Sequence, residues 1–192
     1  RDPLTMGLRL FRRQCASCHA YSHDEYNIAG PPTPDATSDS PVNYGAPDLV
    51  HFGSVKWIQG LLNNDPTTGI RSGRYFGKSL HVEGEMAEHV HETMWAAAET
   101  AADRQTLVTQ IEQVAWALSA EAKLPYLDYA ANQEKINAGI AHLNDDTLGC
   151  IGCHNYGDNE DGYVIDLNGY ASAEWLTKMI SDPTQTGFYD GG

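Results

Sequence analysis

Twice in 192 residues the chain places two cysteines three apart with a histidine directly after the second. The first instance is Cys15-Ala16-Ser17-Cys18-His19 and the second is Cys150-Ile151-Gly152-Cys153-His154. All four cysteines of the chain lie in these motifs, so none remains for a disulfide outside them. Each motif presents two thiols and an imidazole from five consecutive residues. One turn must therefore offer all three groups to whatever they bind.

Cys-x-x-Cys-His is the attachment signature of c-type haem. The two thiols form thioethers with the haem vinyl groups, and the adjacent imidazole coordinates the iron. Two other chemistries use paired cysteines: a four-thiolate zinc site and a thioredoxin-like redox pair in an α/β unit. Neither requires a histidine immediately after the second cysteine, and here it follows both times. The expected cofactors are two covalently bound haem c groups, on Cys15, Cys18, Cys150 and Cys153, with His19 and His154 as proximal iron ligands.

A repeat links the stretches that follow the motifs. Asp48-Leu49, Phe52, Ser54 and Trp57 match Asp166-Leu167, Tyr170, Ser172 and Trp175 at a constant offset of 118. Asp65-Pro66-Thr67 matches Asp182-Pro183-Thr184 at 117, and Tyr75-Phe76 matches Phe188-Tyr189 at 113. Similarity at a fixed spacing reads as two copies of one unit. In each copy a serine stands where it could cap a short helix carrying the tryptophan. Apolar positions Trp57, Ile58, Leu61 and Leu62 in the first copy, and Trp175, Leu176, Met179 and Ile180 in the second, share a helical face. Asp-Pro would end each helix, because proline restricts the residue before it.

The surroundings of both motifs resemble class I, mitochondrial-type cytochromes c, in a tandem dihaem form similar to the cytochrome c domains attached to quinol–cytochrome c reductases. Gly7 and Phe11, eight and four residues before Cys15, stand as in that family's N-terminal helix. The resemblance implies packing of this helix on a C-terminal one, here carrying Leu107, Ile111, Val114 and Leu118, with Trp116 as its aromatic and Asp103 as its cap. Gly30-Pro31-Pro32 resembles the proline loop whose backbone carbonyl orients the proximal histidine, which makes Pro31 a candidate site residue. By the same resemblance the indoles of Trp57 and Trp175 would approach haem propionates; core packing is the equal alternative. Tyr75-Phe76-Gly77 followed by Gly84-Glu85-Met86 resembles the segment that supplies an axial methionine, so Met86 is the expected sixth ligand of the first haem. Bis-histidine ligation through His81, His89 or His91, and ligation by Met94, are the rivals; Met/His ligation would raise the reduction potential relative to bis-His. Carrying Met86 across the repeat lands at about position 199, past Gly192. The second domain is therefore expected to end before its distal ligand.

The fold class implied is all-α: two tandem cytochrome c domains, residues 1–123 and 124–192, each with three or four short helices and long loops around one covalent haem. Small domains bury limited surface, and a haem would supply the missing apolar plate. Periodicity places helices at roughly 3–15, 54–64, 86–98 and 103–121. Ile136, Ile140 and Leu143, with Gly139 between them, suggest the first helix of the second domain, although Asp146 stands four before Cys150 where the family has an aromatic. Residues 20–47, rich in Pro, Ser, Thr and Asp, read as a long loop absent from the second copy.

Twelve Lys and Arg against 26 Asp and Glu leave a net charge of −14. The acidity is denser in residues 126–192, with 2 basic and 11 acidic side chains. Nucleic acid is a poor partner for such a surface; steering of a basic redox protein and mere solubility are equal readings of it. His23, His51 and His142 read as surface or polar-core residues. No apolar run approaches the ~20 residues of a membrane span. The expected function is electron transfer as the cytochrome c part of a quinol-oxidising respiratory or photosynthetic chain. A quinol-oxidising complex or iron–sulfur protein would be the donor, and a cytochrome or oxidase the acceptor. Association with a membrane would come through missing segments or a partner subunit. The alternatives are a dihaem peroxidase-like enzyme and a gas-binding haem module using an open second haem. Covalent haem attachment implies a periplasmic or outward-facing location.

Overall fold

A computed structural model describes residues 3–23, 25, 27–28, 30, 46–63, 84–145, 147–185 and 188. It is mostly helical. Helix α1 spans Pro3–Gln14, α2 Val55–Leu62, α3 Glu85–Glu88, α4 Ala101–Ala122, α5 Gln133–Asn144 and α6 Ala173–Ser181. A π-helical stretch, His89–Trp95, continues directly from α3. The only paired strands among the described residues are β1 (Tyr21–Ser22) and β2 (Asn27–Ile28), a small antiparallel hairpin within the stretch expected as loop. No helix among the described residues is long and apolar enough to cross a membrane.

The helix ends follow from local chemistry. The hydroxyl of Ser54 accepts the Trp57 N–H at 3.2 Å, and Ser172 accepts the Trp175 N–H at the same distance, so both expected serine caps are made. Asp182 stands at the C-cap of α6, just before Pro183. At α4 the cap is Thr100, not Asp103. Asp103 occupies the third helical position and completes a capping box, accepting the Thr100 N–H at 3.0 Å while its own N–H reaches the Thr100 hydroxyl at 3.1 Å. Such a reciprocal pair satisfies two of the donors that a helix start leaves open.

The described contacts form two compact units. One comprises residues 1–51 and 60–97, the other 52–59 and 98–192. In the second unit α4 packs with α5.

In the first unit, the buried Trp95 indole N–H donates to the Leu62 carbonyl at 2.9 Å, tying the end of the π-helical stretch to the end of α2. Val90 and Met94 are buried beside Trp95 on the same stretch. Among the described residues nothing lies within 4 Å of a Cβ placed on Gly7.

The second unit is built on the α4–α5 pair. Leu107, Ile111, Val114, Ala115, Ala117 and Leu118 of α4 are buried, and Ile136 and Leu143 of α5 meet them. Gly139 is where the helices come closest. A Cβ there would stand 2.0 Å from the backbone oxygen of Gln113. Tyr129 closes the connection, its hydroxyl accepting the Leu124 N–H and donating to the Ser119 carbonyl, both at 2.8 Å. Trp116 packs edge-on to Tyr129.

The matched segments of the repeat also meet in this unit. Phe52 lies 5.5 Å from its counterpart Tyr170 and 6.3 Å from Trp175 between ring centroids. Gly53 and its counterpart Ala171 are both left-handed, at φ 76° and 60°. A Cβ on Gly53 would fall 2.5 Å from that of Ala171. Equivalent positions thus pack on each other. The copies differ further along: Leu62 is 6% exposed, whereas the matching Ile180 is 78% exposed.

Candidate functional site

The first Cys-x-x-Cys-His turn grows out of α1. The N–H groups of Cys15 and Ala16 still bond to the Phe11 carbonyl, at 2.9 and 3.0 Å. The chain then tightens, with Cys18 and His19 both donating to the Cys15 carbonyl at 3.0 and 2.8 Å. The second turn repeats this: Cys153 and His154 donate to the Cys150 carbonyl at 3.3 and 2.9 Å. Residues Cys150–Gly152 form a single 3-10 turn.

Around each histidine the same three hydrogen bonds recur at positions related by the offset of 118 on the far strand. Ala46 N–H donates to Cys18 O at 2.7 Å, and Val164 N–H to Cys153 O at 3.2 Å. His19 Nδ1 lies 2.8 Å from Pro47 O, and His154 Nδ1 lies 2.7 Å from Ile165 O. Leu49 N–H donates to Ala20 O at 3.0 Å, and Leu167 N–H to Asn155 O at 3.0 Å. A carbonyl oxygen can only accept, so Nδ1 carries the proton in each ring and the lone pair resides on Nε2. A bond of this kind fixes the tautomer and orientation of a metal-ligating imidazole.

The Asp that follows each carbonyl shapes the next turn. Asp48 Oδ1 accepts the Val50 N–H at 2.9 Å, and Asp166 Oδ1 accepts the Asn168 N–H at 2.8 Å. On the other side of each histidine a glycine lies against the backbone. A Cβ on Gly30 would stand 2.8 Å from Ala20 N and 3.0 Å from His19 C. On Gly162 it would stand 2.4 Å from Asn155 N and 2.5 Å from His154 C.

The four cysteines are not paired in disulfides; Cys18 is exposed and the other three half-buried. Burial pushes the Cys150 thiol up to about 11, with the negative charge of Asp145 and the thiol of Cys153 adding to it. A redox-active cysteine needs the opposite, a lowered pKa and a ready thiolate. Among the described residues no group of three or more His, Cys, Asp and Glu side chains is arranged to hold a metal ion by itself. What each turn offers is two thiols and one imidazole nitrogen.

The remaining expected residues are placed as follows. Pro31 lies outside the described residues; the carbonyl that meets His19 belongs to Pro47. The constant offset reaches one residue further back than Asp48 and Asp166, to Pro47 and Ile165, and that signal was present in the sequence. Met86 stands on the first turn of α3, half-buried, and Met94 is buried among core residues. His89 and His91 are half-buried on the π-helical stretch, and His81 lies outside the described residues. Trp57 and Trp175 are both buried. The Trp175 indole N–H donates to Asp166 O at 3.0 Å, a core contact. Met179 is half-buried on α6.

Glu121, on the last turn of α4, is a residue that sequence reasoning missed. Its carboxylate accepts the Gly169 N–H at 3.0 Å and the Tyr156 hydroxyl at 3.4 Å. Burial, with Glu121 beside it, pushes Tyr156 up to about 12. The Tyr156 hydroxyl therefore stays a donor at neutral pH. No family model, curated protein or solved structure matches the chain.

Proposed function

We propose that this chain is a two-haem c-type cytochrome of class I type, an electron carrier or redox-complex subunit with one covalent haem at each Cys-x-x-Cys-His turn. The observation that carries the reading is the repeated frame around His19 and His154. A zinc-thiolate or dithiol site has no need of a histidine locked through Nδ1 with its lone pair on Nε2. Both turns here have that arrangement, built from Pro47 O and Ile165 O. The donor set fits the group: two thiols from one turn for the vinyl carbons, and an oriented imidazole for the iron. A haem held there supplies one-electron iron chemistry.

The chain's own residues set the conditions for that chemistry. Pro47 and Ile165 hold the imidazoles and raise their basicity, which tunes the potential. Met86 is the proposed distal ligand of the first haem. The tandem repeat then corresponds to two cytochrome c domains, 1–123 and 124–192. The charge of −14 suits a cationic redox partner whose approach it would steer. The chain would serve a quinol-oxidising respiratory or photosynthetic chain from a periplasmic or outward-facing position.

The test is production of the full chain in a periplasm with cytochrome c maturation machinery, followed by mass measurement and haem staining under denaturing conditions. Two haem masses per chain are expected. Replacing Cys15 and Cys18 by Ala should remove one, and replacing Cys150 and Cys153 the other. A wild-type chain that matures without covalent haem, or binds zinc through its thiols instead, would overturn the proposal.

A further inference from the structure

Outside the two histidine turns, Glu121 grips a candidate site from far along the chain. It lies one residue before the end of α4, where the helix dipole disfavours a carboxylate. Its placement there calls for compensating partners, and two are present. Oε2 accepts the Gly169 N–H, 48 residues away, and Oε1 accepts the Tyr156 hydroxyl.

These partners bracket the carbonyl side of the histidine frame. Tyr156 follows His154 by two residues. Gly169 follows Ile165, whose carbonyl meets His154 Nδ1, by four. Between them the loop is cross-tied: Leu167 N–H to Asn155 O at 3.0 Å, Gly157 N–H to Asn168 Oδ1 at 3.0 Å, and Trp175 Nε1–H to Asp166 O at 3.0 Å. Gly169 is left-handed, at φ 67°, in the turn whose amide meets the carboxylate. The carboxylate therefore fastens both ends of segment 156–169, which begins two residues after His154 and carries its carbonyl partner Ile165.

We infer that Glu121 is a positioning residue for His154: it clamps Tyr156 and Gly169 to α4 so that the Ile165 carbonyl stays aligned with the imidazole Nδ1–H. The consequence for electron transfer rests on the haem reading above, but the clamp itself is a property of the polypeptide. With haem bound, loosening it weakens the Nδ1–H bond, lowers the basicity of the ligand and raises the potential of the second centre.

The experiment compares Glu121→Ala and Glu121→Gln with wild type in the full matured chain, reduced and labelled with nitrogen-15. The readouts are solvent exchange of the His154 Nδ1–H and Gly169 amide protons, and the two midpoint potentials. Glu121→Ala should speed exchange at both protons at least tenfold and raise the second potential, with the His19 Nδ1–H and the first potential unchanged. Glu121→Gln keeps an acceptor and removes only the charge, so it should restore most of the protection. If Glu121→Ala does not accumulate, Glu121→Asp, which withdraws both oxygens by one methylene, should show the same faster exchange. Unchanged exchange at His154 in Glu121→Ala or Glu121→Asp overturns the inference. So does a shift equal in Glu121→Ala and Glu121→Gln, which would mark a pure charge effect. A chain lacking haem at Cys150 and Cys153 would sink the haem reading, while the exchange comparison would still decide on the clamp.

Discussion

Adding one methyl group at Gly162 should disable the second histidine frame, and adding one at Gly30 should strain the first less. Neither glycine has a left-handed φ, so the effect is steric alone. At Gly162 the new Cβ would meet Asn155 N at 2.4 Å and His154 C at 2.5 Å, both backbone atoms that cannot swing aside. Reaching an ordinary separation of about 3.5 Å requires the segment to move by about 1 Å. That movement strains the Gly162 N–H bond to Asn155 Oδ1 at 2.7 Å and the Tyr163 and Val164 bonds to Cys153 O at 2.9 and 3.2 Å. Overpacking costs about 1–3 kcal/mol. Loss of two of these three hydrogen bonds, at roughly 1 kcal/mol each, brings the total to about 3–5 kcal/mol. At Gly30 the nearest backbone atoms stand at 2.8, 3.0 and 3.2 Å, so a smaller shift of about 0.7 Å suffices and about 1–2 kcal/mol is expected. Denaturant unfolding of the full chain, followed through the Nδ1–H resonances of His154 and His19, gives each frame its own probe. Gly162→Ala should lower the midpoint of the His154 signal by more than Gly30→Ala lowers that of His19. The steric account fails if Gly162→Ala unfolds at the wild-type midpoint, or if Gly30→Ala proves the costlier change.

Gly53→Ala should destabilise the second unit by about 2–4 kcal/mol, combining a left-handed Cβ penalty with a 2.5 Å collision against Ala171, and thermal unfolding would measure it. The capping box makes α4 acid-sensitive. The Thr100 hydroxyl, then the Thr100 N–H, hold the Asp103 carboxyl below its usual 3.8. A depressed carboxylate contributes stability that is present above the unfolded pKa and is lost as pH falls through the folded one. Helicity should therefore decline below about pH 4 in wild type, and circular dichroism of Asp103→Asn should lose that component of the profile.

What could be read from the sequence was local. Helical periodicity, the Ser54 and Ser172 caps and the two Cys-x-x-Cys-His turns all depend on residues within a few positions of one another, and each leaves a mark in residue type. The boundaries of α1, α2 and α4 came within two or three residues for that reason. The carbonyls on the two histidines leave no mark in residue type, because any residue can supply a backbone oxygen. Pro47 and Ile165 share no side-chain chemistry, only their place in the repeat. Gly139 reads only as a glycine within a helix; that it lets Gln113 O approach takes a partner 26 positions away to recognise. Glu121 was invisible for the same reason.

The comparison of the two copies separates the histidine frame from its surroundings. Sixteen residues lie between Gly30 and Pro47, but only Tyr163 and Val164 between Gly162 and Ile165. Despite that difference the same two contacts are made: a glycine flat against the backbone after the histidine, and a carbonyl on Nδ1. Both contacts are made to backbone atoms, so the number of residues between the glycine and the carbonyl differs between the copies without changing them. The second copy, with almost no loop, has little of its own to brace the returning strand, and there the brace comes from α4 through Glu121. On this account a shortened loop in the first copy that keeps Gly30, Ala46 and Pro47 leaves the His19 Nδ1–H bond intact. Loss of Glu121 disturbs His154 although every residue of its own loop remains.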